Sequence, residues 1–173
     1  MGYYYLISSL PMLKSDGELP FEYNEFLEKC RSAVSDVKYE ILKNLTLSSK
    51  EGPLVSRWAE FYCTLNQELI HQRNTRLGRP LSLSYQKDET AARIVTAVMN
   101  NKNPLEAEKM LLELEFEKLD ELIGTHYFDD YALMGYAIKL KLLERKNIFE
   151  HELGKSELNR IVEGLEQQII SMG

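Results

Sequence analysis

Residues 131–143, YALMGYAIKLKLL, are apolar on nearly every face of the helix that their composition predicts. A helix without a wide polar face belongs in the middle of a bundle, with other helices packed around it. That single requirement sets the class of fold, and the rest of the chain supplies the surrounding helices.

Leu19-Pro20 can open a first helix that carries Tyr23, Phe26, Leu27 and Cys30 at spacings of three and four. Ser35 or Asp36 caps a second, with Val37, Ile41, Leu42 and Leu45 on one face. Gly52-Pro53 places a proline where a helix start tolerates the missing N–H. The helix that follows is expected from Leu54 to about Leu77, with Trp58, Phe61, Tyr62, Leu65 and Leu69 as its apolar stripe and Gly78 as its stop. Residues 78–87 read as an extended connector. Asp88 then caps a short helix bearing Ala92, Val95 and Met99. Asn103-Pro104-Leu105-Glu106 combines an Asn cap, a first-turn proline and a third-position Glu, and Gly124 closes the helix that it starts. After the central apolar helix, a last amphipathic one is expected from Ser156 to about Ser171, with Leu158, Ile161, Val162, Leu165, Ile169 and Met172 in register. Only YYYLI and LSLSY have strand character, and both are too short to found a sheet. The expectation is an all-α, single compact domain over 1–173, a bundle of about seven helices. Residues 1–18 form a short extended or helical arm and a turn, with Tyr4, Leu6 and Ile7 packed on the body.

Composition narrows the function. A net charge of −6 disfavours general nucleic-acid binding, which needs a basic surface to displace counterions. No apolar run approaches the roughly 18–20 residues of a membrane span. The opening MGYYYLISSLPML has no cation before Lys14, and Pro11 interrupts its apolar run, so it does not read as a targeting signal. Cys30 and Cys63 read as small buried hydrophobes in a reducing, cytoplasmic setting.

Chemistry-bearing patterns are sparse. There is no phosphate loop, nucleophile elbow or Cys-x-x-Cys pair, and no two of His71, His126 and His151 stand at metal-ligand spacing. Glu68 and His71 form one Glu-x-x-His, whereas di-iron bundles place two such motifs face to face. The expected role is a solvated Glu and a rim histidine, with no catalytic, cofactor or metal site. The acidic helix 104–123 reads mainly as a solvated face. Two basic groups are the candidate partner-binding residues: Arg73, Arg76 and Arg79 at the end of the third helix, and Lys139, Lys141, Arg145 and Lys146 along the apolar one. Arginines near a helix C-terminus also complement its dipole.

Two stretches, DDYALMGYAIKLKLLERKNIFEHELGKSELNRIVEGL and FYCTLNQELIHQRNTRLG, together resemble the C-subunit family of V-type ATPases, whose eukaryotic member is the d subunit. Tyr136, Glu144, Arg145, Asn147 and Gly154 match in the first stretch, and Phe61, Asn66, Arg73 and Gly78 in the second. The opening YYYLISSLP is similar to a short bacterial family encoded beside V-type ATPase genes. The resemblance to the C-subunit family proper is partial, because this chain is roughly half as long and lacks that family's Arg-containing N-terminus. It implies an all-helical, non-enzymatic coupler between central stalk and membrane rotor, peripheral to the membrane and serving ion or proton transport. The expected partners are the other V-type ATPase subunits. A free-standing helical adaptor or regulator is the alternative.

Overall fold

A computed structural model describes residues 3–81 and 85–172. Among these residues there are seven helices and no strand. They are α1 (Tyr4–Ser9), α2 (Tyr23–Cys30), α3 (Asp36–Lys43), α4 (Pro53–Arg76), α5 (Glu89–Asn100), α6 (Pro104–Ile123) and α7 (Asp130–Ser171). Seven is the expected number, reached by a different partition. YYYLI, with its strand character, lies largely in α1, and the two helices expected after Asp130 are one. LSLSY and the 78–87 connector include residues 82–84, which lie outside the described residues.

Local chemistry sets most of the ends. The Ser35 side chain accepts the Lys38 N–H at the start of α3, and Asp88 accepts that of Ala91 at the start of α5. Asn103 accepts from Leu105 ahead of Pro104, and Asp129 accepts from Tyr131 and Ala132 at the head of α7. Each such cap satisfies one or more of the four orphan donors of a helix start. Gly52, Gly78 and Gly124 take positive φ values of 99°, 63° and 57° at helix boundaries, a conformation that a side chain would strain.

The first part of α7 is the axis of the molecule, and it packs against α6, α4 and α2. Leu133, Ala137, Ile138, Leu140 and Leu142 are fully buried on it, facing Trp58 of α4, Leu112 and Leu119 of α6, and Phe26 of α2 in one continuous core. Gly135 lets α6 come close, since a Cβ there would overlap the Ile123 side chain. The arm joins this core through buried Leu6 and Leu13, with Tyr3 and Ile7 packed against it. Tyr4 is more than half exposed and rests on Phe128, with ring centroids 4.7 Å apart. Val37 departs from the expected face of α3 and is exposed; Leu42 is that helix's buried residue.

At 42 residues, α7 is about 63 Å long at 1.5 Å per residue. From Glu152 to Met172 every residue except Leu153 is exposed. The break expected between the central apolar helix and the one starting at Ser156 does not form at Gly154. Gly154 has no positive φ, no proline follows, and a mid-helix glycine weakens a helix by only about 1 kcal/mol relative to alanine. The bundle is therefore compact up to about residue 150, and the helix continues beyond it. No helix of the described residues is long and apolar enough to cross a membrane.

Candidate functional site

The basic groups on α7 are largely turned inward. Arg145 forks onto Glu115 of α6, with Nη1 to Oε1 at 2.8 Å and Nη2 to Oε2 at 2.6 Å, while its Nη2 and Nε also reach Oε1 of Glu108. Glu115 is wholly buried. Burial pushes its carboxyl above the ordinary range against the opposing pull of Arg145, and the two glutamates hold the guanidinium firmly protonated. A bidentate pair of this kind fixes orientation as well as charge. It registers α7 on α6, and Glu108 and Glu115 thereby depart from an acidic face that is otherwise mainly solvated, as expected.

The neighbouring lysines are engaged too. Lys139 Nζ donates to Asp120 Oδ1 of α6 at 2.5 Å. Lys146 Nζ donates to the carbonyls of Gly17 at 3.1 Å and Ser15 at 3.4 Å, holding the turn that follows the arm. Lys141 lies 3.8 Å above the Tyr23 ring, and its partial burial lowers its pKa. Glu144 accepts the Tyr23 backbone N–H at 2.7 Å, so a side chain of α7 caps α2. Tyr136 donates to the Pro11 carbonyl. Tyr136, Glu144 and Arg145, which carry the resemblance, thus all brace the first part of α7.

At the end of α4 the arginines divide. Arg76 donates to the Met99 carbonyl at 2.7 Å and to Asn100 Oδ1 at 2.6 Å, closing the end of α5 onto α4. Arg73 and Arg79 are exposed. Together the seven candidate residues do not make one surface.

Beside them an open cleft of about 790 Å³ runs between α4, α5 and the connector, lined by Glu68, His71, Gln72, Tyr85, Arg93 and Thr96 among others. Glu68 is 3% exposed, which corrects the expectation of a solvated side chain. It accepts from the Tyr85 hydroxyl and, at 2.9 Å, from Gln72 Nε2. Burial and then the Glu68 carboxylate push the Tyr85 hydroxyl up to about 12. The His71 ring stacks on Tyr85 at 3.7 Å, and its Nδ1 has no hydrogen-bond partner among the described residues. No group of three His, Cys, Asp or Glu that could hold a metal occurs among the described residues. The arrangement ties Tyr85, ahead of α5, to α4. Of the cysteines, Cys30 is buried and its thiol is pushed up to about 12 by burial, whereas Cys63 is exposed rather than buried.

The stripe of the last helix falls at the expected positions of α7 and lies uncovered. Leu158, Ile161, Val162, Leu165, Ile169 and Met172 are each at least 44% exposed, and no element among the described residues covers them. Isolated exposed apolar residues are ordinary, whereas these six are aligned along one helix. No protein-family model, curated protein or solved structure matches the chain.

Proposed function

We propose that this chain is a non-enzymatic accessory or coupling component of a bacterial V-type ATPase, similar to its C subunit, which joins central stalk and membrane rotor through protein–protein contacts. The observation that carries the contact part of this reading is the division of α7. Its first part is locked into the body by a continuous core and the Arg145–Glu115 pair, and its last part offers an uncovered apolar stripe. A helix clamped at one end and docked at the other passes a displacement of its tip to the body as a lever does.

The choice of the ATPase as partner rests on the resemblance of residues 61–78 and 129–165 to the C-subunit family. One departure stands against full equivalence: that family places a glycine-containing turn where Gly154 here continues the helix. In this reading the chain works on the cytoplasmic face, peripheral to the membrane, and serves ion transport without catalysing a reaction itself.

Affinity purification of the full chain from its native host, followed by mass spectrometry, tests the assignment. Stalk or ring components are expected in stoichiometric recovery. The double variant Arg73→Glu, Arg79→Glu changes two exposed positions and should lower that recovery without changing the melting temperature. If stalk and ring components never co-purify, the ATPase assignment is lost. The uncovered stripe would then favour the second reading, a free-standing helical adaptor.

A further inference from the structure

The uncovered part of α7 follows a seven-residue repeat. Counted from Ile148, the first (a) positions are Ile148, Lys155, Val162 and Ile169, and the fourth (d) positions are His151, Leu158, Leu165 and Met172. β-Branched residues at a with leucine at d favour a two-stranded coiled coil, and a single lysine at an a position fixes its register at some loss of stability. Upstream, the same seam passes through Glu144 and Lys141, where α2 covers it at Tyr23. The open seam therefore begins beyond the body and runs for about 36 Å over residues 148–172.

Charge selects the occupant. The e positions beside the seam are Glu152, Asn159 and Glu166, while the g positions are Asn147, Gly154, Ile161 and Gln168. Flanking e and g residues pair across a coiled coil and set partner choice. A second copy in parallel would leave Glu152 and Glu166 opposite neutral residues. A second copy in antiparallel would set Glu152 against Glu166 of the other chain. The whole segment 148–172 holds five glutamates against one lysine and one arginine. Self-pairing thus leaves the acidic flank uncompensated in either direction.

We propose that residues 148–172 dock one amphipathic helix of a different protein, with an apolar a/d seam and lysine or arginine at the positions flanking it, to form a two-stranded coiled coil. Gly154 and Gly164 each weaken the helix of this segment, relative to alanine, when it stands alone. Its helix is accordingly consolidated by the partner. The inference rests on the interaction reading and not on the ATPase assignment, which the co-purification experiment tests separately.

The test uses the full chain and two labelled 28-residue helical peptides, with Ile at a and Leu at d. One carries Lys and the other Glu at every e and g position, so each repels its own copies. Fluorescence anisotropy should report binding of the Lys peptide, with the Glu peptide at least about tenfold weaker. Leu158→Asp with Leu165→Asp should abolish binding at an unchanged melting temperature, because these side chains touch nothing in the body. Glu152→Lys with Glu166→Lys should reverse the preference, and Lys155→Ile should tighten binding of the Lys peptide. Equal binding of the two peptides, or binding of neither, overturns the proposal. So does a dimer of the chain alone, seen by sedimentation, that Leu158→Asp with Leu165→Asp dissolves.

Discussion

The two parts of α7 share one helix and one kind of sequence, an apolar repeat set among charges, yet they stand in opposite surroundings. In residues 130–150, leucines are buried by three neighbouring helices, and every basic side chain of the candidate stripe finds an acid, a carbonyl or an aromatic face within the chain. In residues 151–172, Leu158 and Leu165 face outward and the body supplies no partner. Hydrophobic patterning is thus satisfied within the chain for one part and left uncovered by the described residues in the other. Amphipathicity predicts that a face will be covered; only the count of available neighbours tells whether the cover belongs to the same chain.

The sharpest break of this comparison is a matched pair of truncations. Leu140→Ala, in the fully buried part, should destabilise the protein by about 2–5 kcal/mol in chemical denaturation. Leu165→Ala, in the uncovered part, should change stability by less than about 0.5 kcal/mol. Similar losses at both sites would mean that the distal helix packs on something within the chain. Next in size, Arg145→Ala leaves Glu115 buried without its counter-charge and should lose about 3 kcal/mol. Replacing Arg145 and Glu115 together by apolar residues should recover much of that loss. Deleting residues 1–10 removes the buried Leu6 and the packed Tyr3 and Ile7, each side chain contributing about 1.5–3 kcal/mol before ordering costs. The melting temperature should fall, and an unchanged value would release the arm from the core.

A pH series sharpens the contrast further, because the shifted tyrosines sit in the body. Burial pushes the Tyr3 hydroxyl up to about 12 and raises those of Tyr23 and Tyr136 well above their ordinary value of 10.0. Folding therefore favours their protonated forms. That stabilisation is complete below pH 10 and is lost as the pH rises through the folded values, so alkaline unfolding should begin above about pH 10. Tyr23→Phe, which also gives up a hydrogen bond to the Leu42 carbonyl, should flatten this dependence. The smallest effect belongs to the distal helix: Gly154→Ala and Gly164→Ala should raise its helicity without moving the main unfolding transition. A large rise in melting temperature would contradict the independence of the two parts.

How far the sequence reached depended on how local the determining chemistry was. The bounds of α6 could be read because Asn103, Pro104 and Gly124 act on their own neighbours. The start of α4 followed equally from Gly52-Pro53. Gly154 misled because a glycine permits a stop without requiring one, and here neither a following proline nor tertiary packing turns the chain. The burial of Glu68 and Glu115 was hidden because their partners, Tyr85 and Arg145, lie 17 and 30 residues away. A run of glutamates does not announce which member faces an arginine on another helix. For the same reason the basic stripe on the central helix looked like a surface, when three of its four cations bond to groups brought near only by folding.

Hydrogen exchange along α7, measured in the isolated chain and again in its affinity-purified complex, tests the central claim most directly. In isolation the amides of 133–146 should be strongly protected and those of 152–172 should exchange fast; in the complex the distal amides should become protected as well. Distal amides that exchange at the same rate in both states would contradict the assignment of this helix as the contact element.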